Sequence, residues 1–246
     1  MNNSTFITGD IHRDLNDLKD RINRSQAKRL IILGDAAVNW YGPIQDYYFK
    51  KVLSDLDCEF FLLRGNHDQP PEEVPNMLKV FNPEIDNFVY METEFPKIQY
   101  LIDGLVYIFD SYKCLAIGGA YSIDKYLRLS YGWQWFEHEQ ICYKDRQLIA
   151  EQIAHQDYDF ILTHTCPYSW MPTDKFLAGY DQSKIDNSME LWLEDIKDTF
   201  TYKVWLFGHY HIDRIVKPNV ESMYYNINSL DSFIQKYNEY IPLDKS

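Results

Sequence analysis

Eight side chains able to do chemistry stand directly behind short apolar runs. Asp10 and His12 follow Phe6-Ile7-Thr8, and Asp35 follows Leu30-Ile31-Ile32-Leu33. Asn66 and His67 follow the run ending at Leu63, His164 follows Phe160-Ile161-Leu162-Thr163, and His209 and His211 follow Val204-Trp205-Leu206-Phe207. Of the seven histidines in the chain, five fall at these positions, which chance placement explains poorly. Imidazoles, carboxylates and one amide oxygen, without a thiolate, suit Mn²⁺, Fe or Zn²⁺ better than Ca²⁺ or a structural Zn²⁺ site. The donors outnumber what one tetrahedral ion needs, so two ions sharing a carboxylate is the natural arrangement. Such a pair, about 3.5–4 Å apart, clamps the attacking and leaving oxygens of a phosphoryl transfer. If the segments are extended, Asp10 with His12, and His209 with His211, point to one side at their spacing of two.

The elements that must carry these residues are legible as strands with polar tips. An apolar run of about four residues closed by Gly or a polar residue reads as a buried strand, and the carboxyl ends of parallel strands are where open α/β sheets place ligands. Asp14, Leu15, Leu18 and Ile22 mark an amphipathic helix after the first strand, and Pro43 opens another that reaches about Leu53. Strand–helix–strand–helix–strand on this spacing predicts a parallel sheet. Residues 70–96 show no regular pattern. Asp103-Gly104, between runs at 99–102 and 105–109, predicts a two-residue hairpin, and a third run at 114–117 makes the sheet mixed. An aromatic-rich excursion over 119–143 is expected to lie across the site. A helix over 145–154, a strand over 160–163, a loop over 170–183 and a helix over 188–196 follow. Strands over 204–207, 212–216 and 223–227 and a solvated tail from Tyr237 to Ser246 complete the reading.

The totals narrow the class. With 46% hydrophobic residues among 246, a sizeable core is available and disorder is excluded. A net charge of -13 argues against general nucleic-acid binding, so any phosphate substrate needs a local positive centre, which a metal provides. Cys58, Cys114, Cys142 and Cys166 are widely spaced and fit reduced thiols packed as small core residues. The first residues have no basic start and no long apolar stretch, so a cytoplasmic protein without a membrane span is expected. One domain over 1–246 is the economical organisation.

Taken in order, Asp10-x-His12, Gly34-Asp35, Gly65-Asn66-His67-Asp68, the isolated His164 and Gly208-His209-x-His211 resemble the calcineurin-like metallophosphoesterase family, in its bacterial and phage-type members. The resemblance implies an α/β fold of two mixed β-sheets packed as a sandwich flanked by helices. It implies two divalent ions, Mn²⁺ first, with Fe, Zn²⁺ or Ni²⁺ as alternatives. Asp10, His12 and His211 would hold one ion, Asn66, His164 and His209 the other, and Asp35 would bridge them. His67 would be the general acid on the leaving oxygen, kept protonated by a nearby carboxylate, with Asp68 as candidate. The chain departs from the family's protein-phosphatase branch at Val38 and Asn39, where that branch carries an Asp and a phosphate-gripping Arg. Asn39, Arg13, Arg64, Lys125 and Arg128 are the candidate substrate contacts. A phosphomonoesterase is the first reading. A phosphodiesterase acting on cyclic or short nucleotides is the second, and a non-catalytic metal-binding interaction protein the third. The expected partner is a phosphoester substrate, not long nucleic acid or a membrane.

Overall fold

A computed structural model describes residues 4–176 and 181–238. Its elements in chain order are β1 (Thr5–Thr8), α1 (Leu15–Ser25), β2 (Arg29–Ile32), α2 (Pro43–Ser54), β3 (Glu59–Leu62), β4 (Leu78–Asn82), β5 (Asn87–Met91) and β6 (Ile98–Leu101). There follow β7 (Val106–Phe109), β8 (Tyr112–Ile117), α3 (Lys125–Tyr131), α4 (Tyr143–Ile153), β9 (Asp157–Thr163) and α5 (Ser188–Ile196). The last are β10 (Thr201–Phe207), β11 (Arg214–Lys217), β12 (Val220–Ser222), β13 (Ile227–Ser229) and α6 (Leu230–Asn238).

The strands form two mixed sheets, in the orders β13-β1-β2-β3-β6-β5-β4 and β11-β12-β10-β9-β8-β7. In the first, β1, β2, β3 and β6 run parallel; in the second, β8, β9, β10 and β12 do. The strand alternation explains the layers. Ile7, Ile31 and Phe61 point inward to meet Phe109, Phe160 and Leu206 of the other sheet. Leu30, Ile32, Phe60 and Leu62 point outward, under α1 and α2. Ile161, Trp205 and Phe207 do the same beneath α4 and α5. Strands covered on both faces must be apolar throughout, which is why they read as continuous runs. This is the expected sandwich flanked by helices.

Several elements differ from the sequence expectation. Asp103-Gly104 closes no hairpin: β6 pairs with β3 in one sheet, β7 with β8 in the other. The turn passes the chain between sheets, and the Tyr107 hydroxyl pins the crossing by accepting from the Ile102 N–H at 2.7 Å and donating to the Phe88 carbonyl at 2.8 Å. The irregular stretch contains the β4–β5 hairpin at a sheet edge, where largely exposed residues leave no apolar face to read. The strand expected at 223–227 is displaced into β12 and β13. α6 lies beyond it and buries Phe233, Ile234 and Tyr237, so the supposed tail begins inside a helix; 239–246 lie outside the described residues. The expected loop over 170–183 holds three-residue 3₁₀ turns at Thr173–Lys175 and from Gln182, with 177–180 outside the described residues. Cys142 is exposed while the other three cysteines are buried. Among the described residues no helix is long and apolar enough to cross a membrane.

Candidate metal centre

The parallel strands of both sheets end at one edge, and their tips curl over it through left-handed residues. His12, Asp35, His209 and His211 have φ of 41°, 49°, 66° and 52°. These segments are therefore turned, not extended, and the spacing of two acts differently in each. Asp10 and His12 still meet, with His12 Nε2 3.7 Å from Asp10 Oδ2. His209 and His211 part company: the His209 ring lies 5.0 Å from that of His164, while His211 lies 4.7 Å from His12. At the second strand, Gly34 takes φ +93°, and a Cβ there would fall 2.2 Å from His164 Nδ1. The glycine lets the His164 ring settle against the neighbouring tip.

Three overlapping groups of donor atoms result, each within 4.8 Å: Asp10, His12 and His211; His12, Asp35 and His67; Asp10, Asp35 and His164. His209 belongs to none of the three, but its backbone N–H donates to Asp10 Oδ1 at 3.0 Å. Asn66 joins through its Oδ1, 3.0 Å from His164 Nε2.

The hydrogen bonds around this cluster test whether it suits a cation. His164 Nδ1 lies 2.7 Å from the Leu33 carbonyl, which only accepts, so Nδ1 carries a proton and, in the neutral ring, Nε2 carries a lone pair. The Asn66 amide nitrogen donates to Ser122 Oγ at 3.1 Å, which turns Oδ1 toward that same Nε2. Ser122 Oγ in turn donates to the Glu139 carboxylate. Asp35 Oδ1 adds a third acceptor, 3.4 Å from His164 Nε2. Three lone-pair-bearing atoms thus converge without a proton between them. On the other side Asp10 Oδ2 is fully buried and has no hydrogen-bond partner among the described residues, with His211 Nε2 3.2 Å away. His12 Nε2 and His211 Nε2 face each other at 2.7 Å. Unsatisfied buried acceptors are costly, and a metal ion satisfies all of them, so the residues fit the expected group.

The charges agree. Burial would raise Asp10, but His12 and His211 outweigh it and hold its carboxyl well below the usual range. Asp35 is likewise lowered against burial, by His164 and His67. Burial, then the His164 imidazole, pull His209 down to about 3, so it stays neutral and able to ligate.

His67 stands at the rim. Its N–H donates to Asp35 Oδ1 at 2.7 Å, and its Nδ1 lies 3.6 Å from Asp35 Oδ2. Its ring packs on Trp40 with centroids 4.8 Å apart, and Arg128 Nη2 reaches its Nε2 at 3.4 Å. Asp68 is not its partner: that carboxylate accepts from Ala37 N at 2.7 Å and Gly65 N at 2.9 Å, bracing two tip loops, and burial pushes it up to about 6. Burial, with His12 and Arg128, lowers His67 despite Asp35.

Of the candidate substrate contacts, only Arg128 is at the centre. It sits on α3, paired with Asp124 at 2.8 Å and stacked over Trp40 at 5.1 Å. Asn39 donates to the Tyr100 hydroxyl at 2.7 Å and is buried. Arg13 is bound to Asp46 at 2.7 Å and lies over Phe49. Arg64 pairs with Asp103 at 2.9 Å and donates to the carbonyls of His138 and Glu139, anchoring the excursion. Lys125 lies over Trp135 at 4.2 Å. In each the polar head is occupied elsewhere, because a nearer partner than substrate sits within reach. Sequence reading missed Trp40, Ser122 and Glu139, which no local spacing marks. It also missed the walls of a cavity of about 440 Å³ that opens beside Asn66, His67 and His209.

Comparisons place these observations among known proteins. The family model described as calcineurin-like phosphoesterase matches residues 4–213. Among solved structures, the crystal structure of TT1561 of Thermus thermophilus is similar at 13% identity, with a TM-score of 0.48 and 94% of this chain and 96% of that chain covered. Comparison with curated proteins gives no match.

Proposed function

From the premise that this chain belongs to the calcineurin-like phosphoesterase family, we propose that it hydrolyses phosphoesters with two divalent ions, Mn²⁺ first. Asp10, His12 and His211 would hold one ion; Asn66, His164 and His209 the other. Asp35 would bridge, and the observation that carries the reading is its orientation: Oδ1 faces His164 at 3.4 Å while Oδ2 faces His12 at 3.7 Å. What the ions supply when bound is positive charge against the phosphate oxygens and a water acidic enough to attack near neutral pH.

The chain's own groups do the rest. Asp10 and Asp35 leave a net positive centre in a protein of net charge -13, which draws a phosphate in while the surface repels long nucleic acid. Arg128 supplies the guanidinium that Asn39 does not, from α3 and on the His67 side of the site. His67 is the general acid. In the free protein burial, helped by His12 and Arg128, holds its proton affinity down; an arriving phosphate dianion engages the guanidinium and places negative charge beside the imidazole, which raises it. His67 Nδ1 faces Asp35 and Nε2 faces Arg128, so a phosphate gripped by that guanidinium brings its leaving oxygen to Nε2. The three positive partners favour a phosphomonoester dianion. A phosphodiester is the second reading, supported by a groove of about 520 Å³ lined by Trp40, Tyr41, Trp133 and Arg128 on the far side of His67.

The test combines metal analysis with p-nitrophenyl and bis-p-nitrophenyl phosphate. Purified protein carries two transition-metal equivalents. Asp35→Asn loses metal and activity. His67→Ala keeps its metal and loses about 10²–10⁴ in kcat. Full activity in either variant, or one metal equivalent at saturation, removes the mechanism; faster cleavage of the bis ester transfers it to diesters.

A further inference from the structure

The cavity beside the metal centre continues away from His67 into a wall that phosphate chemistry alone does not need. Phe176 and Tyr210 present nearly parallel rings, 13° apart in orientation with centroids 6.4 Å from each other, and Tyr121 stands on the same cavity. Each ring of this stacked pair offers a flat aromatic surface, which suits a flat aromatic guest. Two polar groups interrupt it. Glu190 lines the cavity and is 3% exposed; its Oε1 accepts from Thr165 Oγ, and its Oε2 is buried with no partner among the described residues. Asn187, three residues earlier, also lines the cavity, and its side-chain amide makes no hydrogen bond among the described residues.

A buried carboxylate oxygen without a donor is costly to leave unsatisfied. It calls for a guest that brings an N–H or O–H group, and an alkyl or plain phenyl guest would leave it stranded. Asn187 adds one donor pair and one acceptor in the same wall. A planar ring with mixed hydrogen-bonding edges, joined to a phosphate, meets both demands, and about 440 Å³ accommodates a base with its sugar.

We propose that this cavity receives the base of a nucleotide, stacked on the Phe176–Tyr210 face with an N–H edge toward Glu190, its phosphate at the metal centre. The inference rests on the phosphoester hydrolase reading and specifies the substrate class of that same site. Tyr210 contributes twice, since its hydroxyl lies 2.9 Å from Thr165 Oγ, which joins the aromatic wall to Glu190 in one hydrogen-bonded unit.

Two measurements test it. In the first, kcat/KM for guanosine and adenosine 5′-monophosphates is compared with that for ribose 5-phosphate, the same ester without a base. At least one nucleotide is preferred tenfold or more, and the ratio falls at least tenfold in Phe176→Ala and in Glu190→Gln. In the second, binding of guanosine and adenosine, which carry no phosphate, is followed by equilibrium dialysis. Saturable binding is expected, weakened at least tenfold in Phe176→Ala, a substitution that removes a ring stacked on Tyr210 and none of the hydrogen-bonding groups of the Glu190 network. Hydrolysis of all three esters at similar efficiency overturns the base site while leaving the hydrolase reading intact. If none of the three monoesters is cleaved, the hydrolase reading is left to the nitrophenyl esters and the dialysis alone decides: absence of saturable nucleoside binding overturns the base site.

Discussion

Replacing Gly65 with alanine isolates the geometry of the site from its chemistry, because it adds one methyl group and removes no ligand. A Cβ on Gly65 would lie 2.0 Å from Asp35 Oδ1 and 2.3 Å from the Asp35 backbone nitrogen, about 1.4 Å inside the 3.4 Å at which ordinary contact begins. The obstacle is in part backbone, so it has no flexible end to swing aside. The Asp35 tip and the Asn66–His67 loop must separate by about 1 Å, and misplacement on that scale costs about 10² in rate. Overpacking of this kind also costs about 1–3 kcal/mol of stability, or about 2–4 °C in Tm per kcal/mol for a chain of this size. The assay has three arms: steady-state hydrolysis of p-nitrophenyl phosphate, metal content by mass spectrometry, and thermal unfolding. The expected result is at least a hundredfold loss in kcat/KM with metal affinity reduced at the Asp35 side and the fold retained. Gly132→Ala is the control: Gly132 has φ +65° with nothing within 4 Å of a built Cβ, so it costs stability through backbone strain alone and leaves the site in place. Gly65→Ala with normal activity and two bound metals would refute the reasoning, since it would mean the Asp35 carboxylate is not held where the structure puts it.

Other consequences are open to measurement. Ser122→Ala releases the Asn66 amide and removes the hydroxyl donor from Glu139 Oε2, while the backbone N–H at 122 still serves Oε1, so metal affinity falls about 10–100-fold; an unchanged metal titration would show that Asn66 needs no such support. Chelation of the ions lowers Tm, because a site held at a hundredfold over its Kd contributes about 2.7 kcal/mol, and calorimetry with and without chelator reads this directly. Arg64→Met strands Asp103 and two carbonyls, which costs about 3 kcal/mol for a pair with one partly exposed partner. It also loosens residues 119–143, seen as faster proteolysis there; equal cleavage rates would contradict the anchoring role. Arg128→Ala raises KM for a phosphomonoester more than for a diester and moves the basic limb of the pH profile upward, since His67 must carry its proton to act and one of the neighbours that, with burial, lower it is gone. A profile identical to wild type would separate Arg128 from His67.

The candidate ligands were readable because they follow the ends of five buried strands. A strand covered on both faces is a continuous apolar run, and the polar residue that ends it is conspicuous within a window of a few residues. The same local logic gave α1, where Asp14 caps by accepting from the N–H groups of Asn16 and Asp17 at 3.0 Å each, and α2, where Pro43 takes the first turn. It gave the sandwich only through resemblance, since an apolar run does not state its neighbour. Asp103-Gly104 shows the limit. The dipeptide fixes a tight turn, but whether the next strand folds back or crosses to the other sheet depends on which partner buries it. Tyr107 settled that through contacts with a strand earlier in the chain. α6 carries apolar spacing at Leu230, Phe233, Ile234 and Tyr237, and a neighbouring strand pattern obscured it.

What sequence alone determined is therefore which groups are available to bind metal and at which strand ends they sit. What only the tertiary structure decided is what those groups and their neighbours face. Arg128 meets His67 across 61 residues, Arg64 grips a carbonyl 75 residues on, and Asn39 turns to Tyr100. A side chain's chemistry is local, but its partner is whichever group the packed elements bring within about 3 Å, and that is a property of the whole fold.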